Sequence, residues 1–66
     1  MADIWRPQTI EIYKYWTGAI REEASDKLSI WEINFVVTIE SRLAQNKQLT
    51  ENQATVLERI YAEYTS

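Results

Sequence analysis

The segment 28–43 most constrains the fold, because it combines a helix start with an apolar surface too wide for one side of a helix. Ser29 and Glu32 form a capping-box pattern, in which each side chain accepts a hydrogen bond from the other residue's backbone N–H. At about 100° per residue, the apolar side chains cover more than half of the circumference. They are Ile30, Trp31, Ile33, Phe35, Val36, Val37, Ile39, Leu43 and Ala44. Such a helix is typically buried on more than one side, so the pattern predicts a helix at the centre of the domain.

A narrow polar strip without charge occupies the rest of this predicted helix. Its members recur at i, i+4, i+7 and i+11 and therefore form one line on the helix: Asn34, Thr38, Ser41 and Gln45. An uncharged line suits a close helix contact or a partner surface, because no charge must lose its water there. The alternative is a solvated strip that lacks charge.

The segment 49–64 repeats the same kind of start. Thr50 and Gln53 form a second capping-box pattern, and Leu49 precedes the cap. A one-sided apolar stripe follows: Ala54, Leu57, Ile60, Tyr61 and Tyr64. Together the two starts predict a helix–turn–helix arrangement for the C-terminal half.

The first helix is predicted from a similar stripe. Its apolar positions have helical spacing: Ile12, Tyr13, Trp16, Ala19 and Ile20. Pro7 suits the first turn of a helix. A strand is the alternative for 9–16, which is rich in β-formers, but strict alternation fails at Lys14. We prefer the helix.

These patterns predict an all-α, three-helix domain over residues 1–66, with a long central helix and a helix–turn–helix C-terminal half. We expect an arm at 1–6 and helices at about 8–23, 30–46 and 51–64. A chain of 66 residues buries only about 60% of its unfolded surface. With no cysteine to form disulfides, large aromatic side chains or oligomerisation must strengthen the core. A homodimer is therefore expected.

The composition argues against catalysis. The chain has no cysteine and no histidine, which removes the commonest metal ligands and the usual general base. Glu22, Glu23 and Asp26 fall in a surface turn. Glu40 is either a buried carboxylate with a raised pKa, or it lies at the edge of the apolar face or pairs with an arginine. We expect no enzyme activity, catalytic residue, cofactor or metal site.

The net charge of −3, without a basic run, argues against a nucleic-acid partner. A DNA-binding helix-turn-helix protein remains the alternative, with 51–64 as its recognition helix. The residues predicted to point outward there are Glu51, Asn52, Thr55, Glu58, Arg59 and Glu63. Three of these six are carboxylates, which would be set against phosphates. No segment has the roughly 20 apolar residues of a membrane span, and no signal peptide is recognisable. We expect no membrane partner and a cytoplasmic location.

One pattern spans about half of the chain. It consists of two runs: Leu28, Ser29, Trp31, Glu32 and Phe35, then Leu49, Thr50, Gln53, Leu57 and Ile60. It resembles a pattern in small uncharacterised phage proteins and in the tails of some phage replication-associated proteins. Some of those proteins carry a cysteine-rich zinc module, which this chain lacks. The resemblance implies a phage-like origin and no particular activity or site.

The aromatic residues give the best indication of function. Sixty-six residues cannot fully enclose three Trp and four Tyr, and exposed aromatics favour protein interfaces. We expect a small non-catalytic protein-interaction module, an adaptor or inhibitor that binds another protein or itself. The candidate contact residues are Ile4 and Trp5 in the arm, with Asn34, Thr38, Ser41 and Gln45 in the strip.

Overall fold

The computed structural model describes residues 4–65, which form three α-helices and no strand. The helices are α1 (Ile10–Ala24), α2 (Ile30–Ala44) and α3 (Glu51–Tyr64). The predicted all-α, three-helix fold is confirmed, as is helix rather than strand in the first segment. None of these helices has the length and apolar character that crossing a membrane requires. Residues 1–3 of the predicted arm 1–6, and the final residue of the predicted domain, lie outside the described part.

Both predicted capping boxes are present. The Ser29 hydroxyl accepts from the Glu32 N–H at 3.1 Å, and the Glu32 carboxylate accepts from the Ser29 N–H at 2.8 Å. Thr50 and Gln53 form the same pair of bonds at 3.2 and 3.0 Å. Each capping box joins two residues that are three positions apart in the sequence, and α2 and α3 begin where this spacing predicts.

The first helix begins two residues later than expected. Thr9 has extended backbone angles, and its side chain accepts from the Ile12 N–H at 3.3 Å, which makes it the N-cap. Pro7 therefore precedes α1 and does not lie in its first turn.

The second helix ends two residues earlier than expected. Asn46 has a φ of 61°, in the left-handed region that stops a helix. Its N–H donates to the Leu43 carbonyl at 2.9 Å, and the Lys47 N–H donates to the Arg42 carbonyl at 3.1 Å. This is the Schellman arrangement, with asparagine in the place that glycine usually takes.

The core forms where the three helices meet. The helices α1 and α3 make the most extensive contact, while α2 and α3 make the least. All three helices and the loop before α3 contribute to the core: Tyr13, Ile20, Val36, Ile39, Leu43, Leu49, Ala54, Leu57 and Ile60. The expectation that the second helix is buried on more than one side is wrong. It has 15 residues, the same length as α1, and buries only Val36, Ile39 and Leu43.

Aromatic side chains explain the close packing of α1 on α3. Trp16 stacks on Tyr61, with ring centroids 5.2 Å apart and planes 17° from parallel. The rings of Tyr13 and Trp16 form a T-shaped pair, with centroids 5.4 Å apart. Tyr13 is buried, and its hydroxyl accepts from the Gln8 N–H at 2.9 Å, so its one polar group is satisfied. The aromatic residues thus strengthen this core, as the composition predicts.

Candidate protein-interaction surface

The outward side of α2 is uncharged along its whole length. Nine residues from Ile30 to Gln45, which caps the helix, are exposed, and none carries a charge. We call this surface the α2 face. It consists of Ile30, Trp31, Ile33, Asn34, Val37, Thr38, Ser41, Ala44 and Gln45.

Four of these residues are large and apolar. The exposed fraction is 80% for Ile30, 57% for Trp31, 47% for Val37 and 40% for Ile33. Single apolar residues at a surface are ordinary, but several large ones on one uncharged helix face suit a contact with another molecule. The α2 face therefore has the composition of an interface.

The charged residues of α2 lie beside or behind this face and are engaged within the domain. The Glu40 carboxylate accepts two hydrogen bonds from Arg21 on α1, each 2.7 Å long. Arg42 donates to the Gln48 carbonyl at 2.7 Å. The interpretation of Glu40 as the partner of an arginine is confirmed. These bonds hold both charges within the domain, at the flanks of the helix.

Glu32, the third charged residue of α2, connects the start of this helix to the end of α3. Its carboxylate accepts from the Ser29 N–H and from the Tyr64 hydroxyl, the latter at 3.1 Å. The backbone N–H of Ser29 is the largest cause that lowers the pKa of Glu32, and the Tyr64 hydroxyl and nearby Arg59 add to it. The bond to Glu32 in turn raises the pKa of Tyr64. The ionised carboxylate is thus stabilised where the start of α2 meets the end of α3.

The outward sides of the other two helices are charged. Five of the eight exposed residues of α1 and four of the seven exposed residues of α3 carry a charge. The exposed residues of α3 include all those that the sequence predicts to point outward: Glu51, Asn52, Thr55, Glu58, Arg59 and Glu63. The α2 face is therefore distinct from its surroundings in charge as well as in apolar content.

The four residues of the polar strip lie together on the α2 face, beside α3. They border two adjoining shallow grooves of about 370 and 250 Å³, which share Thr38 and Gln53. The Thr38 hydroxyl donates to the Asn34 carbonyl at 3.0 Å, and the Gln45 amide donates to the Ser41 hydroxyl at 3.4 Å. The strip thus satisfies part of its own hydrogen-bonding capacity before any partner binds.

The opposite edge of the α2 face borders a smaller apolar pocket next to α1. This pocket has a volume of about 170 Å³ and is lined by Arg21, Ser25, Leu28, Ile33, Val36 and Val37. Ile33 and Val37 belong to both the pocket and the α2 face. An apolar side chain of a bound partner has space here.

The two candidate residues of the arm belong to a separate segment. Ile4 and Trp5 are both exposed in residues 4–9, which lack regular structure. This segment is held at Gln8, whose N–H donates to Tyr13 and whose carbonyl accepts from Gln48 at 3.1 Å. The structure therefore brings together four of the six predicted contact residues, all on α2.

The sequence reasoning missed the apolar half of the α2 face. It assigned Ile30, Trp31, Ile33 and Val37 to a buried centre. A signal was nevertheless present, because the three charges of α2 fall on one side of the helix and leave the opposite side uncharged. Charges that pair within the domain mark the flanks of such a helix rather than its solvent side.

The acidic residues form no cluster suited to a metal ion in the described part of the chain. Glu22, Glu23 and Asp26 are exposed at the end of α1 and in the turn after it. No group of three or more potential ligands within residues 4–65 is placed to hold a metal ion.

Comparison of the chain with protein-family models, curated proteins and solved structures finds no match. The resemblance to small phage proteins therefore stays a prediction that rests on the quoted pattern alone.

Proposed function

We propose that this protein is a non-catalytic protein-interaction module, an adaptor or inhibitor that binds another protein chain through the α2 face. The observation that carries the proposal is that nine outward-facing residues of α2 and its C-cap are exposed and uncharged, and that four of them are large and apolar. Burying such a face removes apolar surface from water and strips no ion of its hydration.

The detailed chemistry of the face supports a protein partner. A typical interface combines apolar surface, an aromatic anchor and polar groups that form hydrogen bonds. Ile33 and Val37 supply apolar surface, Trp31 supplies the aromatic side chain, and the strip supplies amides and hydroxyls. In this proposal the module acts in the cytoplasm, which suits a core that contains no disulfide.

The surface of α3 argues against the DNA-binding alternative. A recognition helix places its outward side chains against phosphates and bases. The exposed side of α3 carries Glu51, Glu58 and Glu63 against Arg59 as its one cation. Three carboxylates near the phosphate backbone oppose the electrostatic attraction on which DNA binding depends.

Site-specific photocrosslinking in the native cell tests the proposal. A photoreactive amino acid replaces Thr38 on the α2 face, and the same substitution at Thr55 on α3 is the matched control. Both threonines are exposed, so neither change disturbs the core. We expect position 38 to form a discrete covalent adduct with a protein, as resolved by mass spectrometry after nuclease treatment. Adducts from position 38 that match those from position 55 would contradict the proposal.

A further inference from the structure

We propose that the α2 face binds a second copy of the same chain, with the two α2 helices antiparallel. This inference rests on the proposed function, because it names the occupant of the same surface. It is drawn from the charge, the side-chain sizes and the area of the α2 face.

The charge distribution favours self-association at this surface over any other described surface. Each copy has a net charge of −3, so two copies repel one another in general. On the α2 face, however, no like charges are brought together, and Glu40 at its edge is already bound by Arg21. The outward sides of α1 and α3 would each place several carboxylates of one copy against those of the other.

The sizes of the side chains favour the antiparallel direction. The first half of the face carries large residues, including Ile30 and Ile33, whereas the second half carries Ser41 and Ala44. A two-fold axis at Val37 places Ile30 against Ala44 of the partner subunit and Ile33 against Ser41 of the partner subunit. Large side chains then meet small ones, which allows close packing. The two helix dipoles point in opposite directions, which is the favourable arrangement. A parallel arrangement would set large against large.

The area of the face fits a weak dimer. A standard stable interface buries about 800 Å² and roughly 20–30 residues on each partner. The α2 face offers nine exposed residues of one helix and its cap. It is therefore smaller than a standard interface, and we expect dissociation in the micromolar range or above.

Sedimentation equilibrium of the purified protein up to about 1 mM tests the association itself. Val37→Glu is the diagnostic variant, because a residue on the two-fold axis meets its own copy and one substitution sets two carboxylates together. Thr55→Glu is the matched control, with the same change in charge on α3. We expect Val37→Glu to weaken dimerisation about tenfold or more and Thr55→Glu to leave it nearly unchanged. Circular dichroism verifies that both variants are folded.

Two further measurements test the position and the direction of the contact. Mixing Val37→Glu with Val37→Lys should restore association, since opposite charges then meet on the axis. Mixing Ile33→Cys with Ser41→Cys should give a disulfide between the two variants faster than either gives with itself. Faster self-linkage of Ile33→Cys would overturn the antiparallel arrangement.

The inference and the proposed function fail in different ways. A species that stays at 7.8 kDa throughout, or a dimer insensitive to Val37→Glu, overturns the second copy as the occupant. If position 38 then still crosslinks to a different protein, the proposed function stands with another partner. Adducts of twice the chain mass from position 38, absent at position 55, support the second copy as the occupant of the α2 face.

Discussion

The outward sides of α2 and α3 differ in charge, although the two helices are alike in other respects. Both begin with a capping box, and each buries three residues in the core. Yet α3 exposes four charged residues and α2 exposes none. The inward side of each helix determines how the domain packs. The outward side is free to differ, and charge there keeps neighbouring molecules apart. A helix that lacks such charge is suited to meet another molecule.

The largest expected effect is on the free energy of unfolding, when the same substitution is made on the buried and on the exposed side of α2. Ile39 is completely buried and Ile30 is 80% exposed, so the same substitution tests both sides of one helix. Ile39→Ala should lower the free energy of unfolding by about 2–5 kcal/mol, because it leaves a cavity. Ile30→Ala should change it by no more than about 0.5 kcal/mol. Urea denaturation measures both, at a concentration at which the chain is monomeric. Equal losses would show that Ile30 is covered and that the α2 face is not an exposed surface.

The next effect concerns the helix starts, where α2 and α3 should behave alike. Ser29→Ala and Thr50→Ala each remove the side-chain acceptor of a capping box, and each should cost about 1 kcal/mol. Thermal or urea unfolding of the two variants tests this. Ser29→Thr and Thr50→Ser retain the acceptor and serve as controls. Unchanged stability in both alanine variants would contradict the described helix starts.

The smallest expected effect is a pH dependence at the contact between Glu32 and Tyr64. Because the pKa of Glu32 is lowered in the folded state, its carboxylate stabilises the fold above the ordinary glutamate pKa of about 4.3. This stabilisation is lost as the pH falls through the lower, folded value. The raised pKa of Tyr64 has the opposite effect on the pH dependence of stability. Its neutral hydroxyl stabilises the fold below about pH 10, and this stabilisation is lost as the pH rises through the higher, folded pKa.

Urea midpoints of the wild type and Glu32→Gln from neutral to acidic pH measure the first of these effects. The difference between the two proteins should narrow as the pH falls from about 4.3, the ordinary glutamate pKa, through the lower pKa that Glu32 has in the folded state. Tyr64→Phe removes one of the hydrogen-bond donors, so its effect and that of Glu32→Gln should not be additive. A difference that stays constant down to the acid transition would contradict the lowered pKa.

Features that depend on neighbours in sequence were predictable. The starts at Ser29 and Thr50 follow from residues three positions apart, and the stripe of α3 follows from helical spacing. The end of α2 was predicted two residues too late, because asparagine tolerates a left-handed backbone without requiring it, so Asn46 did not mark the end of the helix. Local patterns therefore determined more of the helix starts than of the helix ends.

Features that depend on how the helices pack could not be predicted from the sequence patterns. Helical spacing identified Trp16 and Tyr61 as inward residues of their helices but could not show that they stack on each other. In the same way, it showed that Ile30 and Val37 are apolar but not whether a neighbouring helix covers them. The polar strip was correctly placed on one line of α2, whereas its apolar neighbours were recognised only from the arrangement of all three helices.

The tryptophans of the chain occupy different environments and therefore act as separate optical probes. Trp16 lies between α1 and α3 against Tyr61, so its fluorescence follows unfolding of the core. Trp31 lies on the α2 face, stacked on Phe35 with more than half of its surface in water. Indole emission shifts to shorter wavelengths when water is removed from the ring. In a variant that retains only Trp31, the emission wavelength would thus report whether the α2 face is occupied. In a variant that retains only Trp16, the emission would report only whether the domain is folded.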